Sequence, residues 1–380
     1  MPKLAEKYEN KYYSDYTVKR LHAVERPKKN VNKQKVERNY LIHKIVSVAV
    51  ILLFAFTVLP YGFNKITKNL LNPSPHSNIK IDYKQLRFPT VNYLSNNWFL
   101  GERSFEKTEV KKPEMISLVE GDELTGLENQ LKNLAAEYPS IVPSVYVWDY
   151  QTGNYANLNA DKIYPTASII KLPVLVQVFR SIEKNQFTLS DKMTLTDYYR
   201  AEGSGSLQFK AENSVYSIDT LARMMITESD NSATNMLMAR LGSMNDVNSG
   251  IRRWGLKHTY VQNWLPDYAG TNHSTARDMA TILYNLDNPE FLSNASREKI
   301  FDYMGHVHNN RLIAAGLPQG AEFLHKTGDI GKMLGDAGIV YTTNGKKYIV
   351  VMFVSRPHNS FLAKEYIVKA SEIVYNYMVK

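Results

Sequence analysis

The chain has 380 residues, 44% of them apolar and 22% charged. These are globular proportions, so a chain disordered throughout is excluded. It has no cysteine, which excludes disulfide scaffolds, cysteine nucleophiles, thiolate metal sites and a lipid anchor on cysteine. The formal charge of +9 does not mark a nucleic-acid binder, because residues 1–44 hold 12 Lys/Arg against 5 Asp/Glu. The basicity belongs to a tail, and the remaining chain is nearly balanced.

The first predicted element follows that tail. From Ile45 to Phe63 there are 19 residues without a charge, mostly Val, Ile, Leu, Phe and Ala. That length spans a hydrocarbon core of about 30 Å. Lys33, Lys35, Arg38 and Lys44 precede it, and Lys65 and Lys68 follow it. The bias predicts a single-pass anchor in the cell membrane, with a cytoplasmic N-terminus and the remainder outside. The lipid bilayer is therefore an expected partner. Residues 64–120, interrupted by Pro73, Pro75, Pro89 and Pro113, read as an extracytoplasmic stalk.

A domain is expected from Gly121 to the C-terminus. Thr125 is a candidate cap for a helix that places Leu127, Leu131 and Leu134 at helical spacing. Val142–Tyr150 reads as a strand, Gln151–Asn154 as a turn and Tyr155–Tyr164 as a returning strand. A long apolar helix is predicted from Ile169 to Ile182. Ile218–Thr227 and Ala233–Leu241 read as helices broken by a short polar loop, and Thr275–Leu286 as another. Gly338–Thr343 and Lys347–Ser355 are predicted strands joined across Asn344-Gly345, and a helix from Ser360 to Met378 closes the chain. Strands at both ends with helices between them imply an antiparallel sheet built from the termini, an inserted helical lobe and a cleft between the two.

Three short motifs carry chemistry. Ser-x-x-Lys occurs five times, as Ser77/Lys80, Ser104/Lys107, Ser168/Lys171, Ser181/Lys184 and Ser296/Lys299, so context must choose among them. Ser168 opens the apolar helix after Tyr164-Pro165-Thr166-Ala167, and three positions on a helix let Ser168 and Lys171 meet. Lys171 stands among Ile169, Ile170, Leu172 and Val174, where burial lowers an amine's pKa towards that of a neutral base. Ser229-Asp230-Asn231 fills the break between two helices, where Asp230 or Asn231 is also a natural helix cap. Lys326-Thr327-Gly328 follows the predicted strand Ala321–His325, and its glycine permits close approach to the strand edge. Each tripeptide occurs once.

The order and spacing of these motifs resemble the penicillin-recognising serine hydrolases, and most of all the class A β-lactamases. The resemblance covers roughly Gly121–Lys380. It implies an α+β, two-lobed fold in which an antiparallel sheet of about five strands is flanked by helices and joined to an all-helical lobe. It also implies that Ser168 is the acylated nucleophile, Lys171 its base and Ser229 the proton relay to the leaving nitrogen. Asn231 would bind the substrate's side-chain amide. Lys326, Thr327 and Gly328 would form the carboxylate-binding edge, and the N–H groups of Ser168 and Asp329 the oxyanion hole. No cofactor, metal or nucleic acid is implied.

Three departures qualify the resemblance. Where the family carries its deacylating glutamate, Asn263-Trp264-Leu265-Pro266-Asp267 places Leu265, and Asp267 two residues on is the available substitute. Asp329 puts a carboxylate where a small residue is usual, opposing an anionic substrate. Gly335-Asp336-Ala337-Gly338 lacks an arginine that many members have. Losing a positioned base costs about 10²–10⁴ in rate. Three functions are therefore carried forward. The first is a membrane-anchored serine hydrolase acting on β-lactams or related amides and esters. The second is a penicillin-binding-protein-like peptidase or acyl-trapping protein acting on cell-wall peptides. The third is a non-enzymatic envelope binding protein. Outside the trio, His306 and His308 lack a third ligand, and Glu202-Gly203-Ser204-Gly205-Ser206 reads as a flexible loop bordering the cleft.

Overall fold

The computed structural model describes residues 114–380. The predicted membrane helix at 45–63 and most of the stalk lie outside the described residues. Among the described residues no helix is long and apolar enough to cross a membrane.

Helix α1 (Thr125–Ala136) buries Leu127, Leu131 and Leu134. Thr125 is its first residue rather than its cap, a position held by Leu124 without a side-chain bond. Strand β1 (Val142–Asp149) turns through Gly153, at φ +74°, into β2 (Tyr155–Leu158). The second strand stops at Leu158, well short of Tyr164. Asn159 leaves the ladder at φ 55°, and Tyr164–Pro165 forms a separate two-residue strand, β3. A 3-10 turn, Ala167–Ile170, leads into α2 (Lys171–Glu183).

The inserted lobe is not purely helical. Strands β4 (Lys192–Thr194) and β5 (Val215–Ser217) pair within it. Helices α3 (Ile218–Thr227), α4 (Asn231–Arg240) and α5 (Met244–Arg253) follow. The two-residue strand β6 (His273–Ser274) pairs with β3. Helices α6 (Ala276–Leu286) and α7 (Asn294–Gly305) then lead back to the sheet. Strands β7 (Glu322–Ile330), β8 (Met333–Tyr341) and β9 (Lys347–Ser355) precede the closing helix α8 (Leu362–Met378).

The main sheet has the order β2-β1-β9-β8-β7, and every pairing is antiparallel. Both its faces are covered. Val145 and Val147 pack with α1 and α8, while Tyr146 and Trp148 face the larger core with α2 and α6. Burial on both faces explains why the central strands read as continuous apolar runs rather than alternating ones. It also lets β8 begin at Met333, five residues before the predicted Gly338. Met333-Leu334-Gly335-Asp336-Ala337 has weak strand propensity, and its neighbours β7 and β9 impose the conformation.

The domain also begins before Gly121. Met115 is buried in the core, and Asn285 brackets Ile116 by accepting its N–H at 2.9 Å and donating to its carbonyl at 2.8 Å. Residues 114–120, predicted to lie in the stalk, therefore pack as part of this unit.

Candidate active site

Ser168 lies in the 3-10 turn just ahead of α2. The preceding Ala167 is in the left-handed region at φ 46°, a strained position of the kind that clusters at reactive sites. Thr166 anchors the turn from below, its N–H and hydroxyl both donating to the Asn272 carbonyl at 2.9 and 3.1 Å. From the other side comes β7, the edge strand. A Cβ at Gly328 would sit 2.6 Å from the Thr166 carbonyl oxygen and 3.2 Å from the Ile169 nitrogen. The glycine was expected to admit a ligand; it also admits the protein's own nucleophile turn.

Lys171 begins the α-helix proper and is fully buried. Its Nζ lies 3.2 Å from Ser168 Oγ, 3.1 Å from Ser229 Oγ, 2.6 Å from the Ser229 carbonyl and 2.8 Å from Asn231 Oδ1. Burial drives its pKa well below the usual amine value, and the positive charge of Lys326 pushes the same way, against Asp230. A neutral amine has two N–H donors and one lone pair. The carbonyl and the amide oxygen can take both donors, which leaves the lone pair for a serine hydroxyl. That is the arrangement a general base for Ser168 requires.

Ser229 breaks the path between α3 and α4 at φ 57°, which turns both its carbonyl and its hydroxyl towards Lys171. Asp230 is the cap anticipated from sequence: Oδ1 accepts the Ala233 N–H and Oδ2 the Leu207 N–H, each at 2.8 Å. The loop at residues 202–206 borders the site, as predicted, but it is bonded in place. The Asn231 amide nitrogen donates to the Glu202 carbonyl at 2.9 Å, its backbone N–H donates to Ser204, and Ser206 donates to Glu228 at 2.7 Å. Gly205, at φ +95°, is required there, because a Cβ would fall 2.3 Å from the Asp230 Cα.

Lys326 is fully buried and donates to the Thr327 carbonyl at 2.9 Å. Burial pushes its pKa down to about 8, opposed by the charge of Asp336. Asp329 is not an unopposed carboxylate. Arg356, just past the end of β9 and itself buried, forms an ion pair with it while donating to the Gly331 and Ser360 carbonyls at 3.2 Å each. Arg356 was not singled out from the sequence. It lies 27 residues from Asp329, and only the pairing of β8 with both neighbours brings the two strand ends together.

The remaining candidates lie in the loop between α5 and β6. Leu265 is buried, and Asn235 clamps its backbone, accepting its N–H at 3.0 Å and donating to its carbonyl at 2.8 Å. The Leu265-Pro266 bond is cis. Asp267 has both oxygens engaged within its own loop, accepting the Thr271 hydroxyl at 3.0 Å and the Asn272 N–H at 2.6 Å. Its carboxylate supports the residue that anchors Thr166, and the structure gives it no contact with Ser168. Asn235 and Asn272 were missed at the sequence level, since an asparagine that braces a distant loop has no local signature. Among the described residues, no three His, Asp or Glu side chains are placed to hold a metal.

A buried lysine bridging two serines at the junction of a five-stranded antiparallel sheet and a helical lobe defines a serine hydrolase of the β-lactamase type. The model of the Beta-lactamase enzyme family matches residues 126–378, and the chain belongs to that family. Among curated relatives, Beta-lactamase BRO-1 of Moraxella catarrhalis is 23% identical over 258 residues, covering 63% of this chain and 80% of the relative. Among solved structures, PBP-A is 38% identical with a TM-score of 0.67, covering 69% of this chain and 99% of its own. A leucine-to-glutamate mutant of PBP-A, solved as an acyl-enzyme complex with penicillin G, is 37% identical with the same TM-score and coverage.

Proposed function

We propose that this hydrolase forms an acyl-enzyme at Ser168 with β-lactams, and with cell-wall peptides that present a similar carbonyl, and that it releases the acyl group slowly. The observation that carries the reading is the Lys171 amine, held 3.2 Å from one serine hydroxyl and 3.1 Å from another. The Ser168 proton passes to Nζ as Oγ bonds to the carbonyl carbon. The oxyanion is met by the N–H groups of Ser168 and Asp329. As the tetrahedral species collapses, the C–N bond breaks and the proton moves from Nζ through Ser229 to the leaving nitrogen. Asn231 orients the substrate amide, and Lys326 with Thr327 holds its carboxylate.

Slow release rests on the absence of a free carboxylate at the deacylation position. Leu265 cannot accept a proton, and Asp267 is engaged within its loop. This favours the penicillin-binding-protein-like reading over a fast β-lactamase. The leucine-to-glutamate mutant of PBP-A, solved as an acyl-enzyme complex with penicillin G, supports the acylation half of this reading. We also infer that residues 45–63 anchor the chain in the membrane with residues 121–380 outside, on the strength of the uncharged span and its flanking charges.

The test is intact mass against time, for the full chain mixed with benzylpenicillin. A stoichiometric adduct persisting for many minutes, absent in Ser168→Ala, is the expected result. A transient adduct with rapid turnover would replace this reading with an efficient β-lactamase. No adduct at all would favour the non-enzymatic binding protein.

A further inference from the structure

The two ends of the site differ in charge. At the β7 edge stand Lys326 and Thr327, which the proposed function assigns to the substrate's carboxylate. At the other end is the loop at residues 202–206, where Glu202 is exposed. Its carboxylate meets the Tyr268 hydroxyl at 3.5 Å, and among the described residues it has no cationic partner. Arg200, two residues earlier, is engaged elsewhere, by Asp197 at 2.9 Å and by the carbonyls of Gln208 and Lys210 at 3.0 and 2.9 Å. Glu228, half-buried beside the same loop, accepts the Ser206 hydroxyl at 2.7 Å. This end of the cleft therefore carries two carboxylates, each met by a hydroxyl rather than by a cation.

Asn231 ties that charge to the reacting centre. Its Oδ1 accepts from Lys171 at 2.8 Å, and one of its two Nδ2 hydrogens goes to the Glu202 carbonyl at 2.9 Å. The second hydrogen remains for the substrate's side-chain amide. Gly203 keeps the space beside it open. At φ +94° and without a side chain, it leaves a gap that a Cβ would close, because that atom would lie 3.3 Å from Asn231 Nδ2 and 3.4 Å from the Tyr268 hydroxyl. One residue's width thus separates the amide anchor from Tyr268, and Tyr268 in turn reaches the Glu202 carboxylate. The substituent next to the substrate's amide carbonyl is directed into that gap.

We propose that Glu202 is a specificity-determining residue that selects acyl donors carrying an ammonium on the carbon next to the side-chain amide, so that the cleft as a whole fits a zwitterionic peptide, with its carboxylate at the β7 edge and its amine at the 202–206 loop. This rests on the reading of Ser168 as the nucleophile and Asn231 as the holder of the substrate amide. Glu202 is solvated on its outer side, so the attraction is modest and weakened by salt. It acts before the covalent step, and so it discriminates among donors that share one reactive ring.

The experiment uses three penicillins on the full chain. Benzylpenicillin, ampicillin and carbenicillin differ at the carbon next to the amide carbonyl, which carries hydrogen, an ammonium or a carboxylate. At about pH 6 an α-amine is protonated. The second-order acylation rate constant, followed by intact mass at low ionic strength, is expected to fall from ampicillin to benzylpenicillin to carbenicillin by about threefold at each step. The steps should flatten in Glu202→Gln, reverse in Glu202→Lys and shrink in the parent at about 1 M salt. Both substitutions keep the backbone carbonyl that Asn231 uses. Equal rates or the opposite order in the parent, or an order that persists in Glu202→Gln, overturn the proposal.

Ser168→Ala separates this inference from the reading beneath it. That variant cannot be acylated at residue 168, and calorimetric binding of the three penicillins to it should follow the same order. If the parent forms no adduct, the functional reading fails, while the binding order still decides the role of Glu202. A preference for ampicillin that is lost in the double variant with Glu202→Gln upholds the role. Equal binding of the three, or no binding, overturns it.

Discussion

Two regions of this molecule meet at the nucleophile turn and use their polar groups in opposite ways. Around Lys171, two serines and an asparagine converge on one buried amine, and their hydrogen bonds leave its lone pair available. In the loop from Asn263 to Asn272, the polar groups are just as well satisfied, but by one another. Asp267 supports Asn272, Asn272 anchors Thr166, and Asn235 grips Leu265. The first region is preorganised for proton transfer. The second is a brace. Under the proposed function, this contrast is what separates acyl transfer to Ser168 from the release of the acyl group.

The comparison can be broken most directly at Lys171. Lys171→Met keeps the volume and deletes the amine, and it is expected to slow acylation by about 10³-fold, measured as the rate of adduct formation by intact mass. Near-parental acylation in that variant would remove Lys171 from the chemistry. The brace is tested by Leu265→Glu, which is expected to raise the steady-state turnover of benzylpenicillin by about 10²-fold while leaving the acylation burst largely unchanged. A persistent adduct in that variant would mean that release is limited by something other than the missing base.

The pH profile sharpens the electrostatic side. Lys326 is a cation below its midpoint of about 8, so carboxylate binding is present at lower pH and is lost as pH rises through that value. KM for carboxylate-bearing substrates should be flat below pH 8 and rise by about tenfold per unit above it.

Gly328→Ala pushes a methyl group against the Thr166 carbonyl. It should cost about 1–3 kcal/mol, seen as a lower Tm together with slower acylation. The smallest effect is expected at Arg356. Arg356→Ala uncovers the half-exposed Asp329 carboxylate, and it should slow acylation by anionic β-lactams about fivefold. The double variant with Asp329→Ala should recover most of that loss. Equal losses in the single and double variants would show that the two side chains are not coupled.

Much of the site was legible in the sequence. Ser168, Lys171, Ser229 and Asn231 come together as their motifs imply, because a Ser-x-x-Lys on a helix start and a Ser-Asp-Asn at a helix break are locally encoded. Thr227 ends α3 and Asp230 caps α4 as expected, whereas the strand expected to end at His325 runs on through Lys326-Thr327-Gly328 to Ile330. Other features were illegible for definite reasons. The β8 strand begins among glycines and an aspartate that no propensity favours. The loop at residues 202–206 reads as flexible because its sequence is glycine and serine, yet its bonds to Glu228, Asp230 and Asn231 hold it. Asp267 looked available because its partners, Thr271 and Asn272, engage it only once the loop has closed.

The sequence by itself determined which side chains carry reactive chemistry, their order and the uncharged span ahead of them, since these depend on residue type and short spacing. Tertiary structure alone decided what each of those groups is free to do. It closed Asp267 into its loop, set Arg356 against Asp329 and pressed β7 against the nucleophile turn. Availability, charge and protonation are set by the atoms that surround a group in space, and those atoms come from segments that lie far apart along the chain.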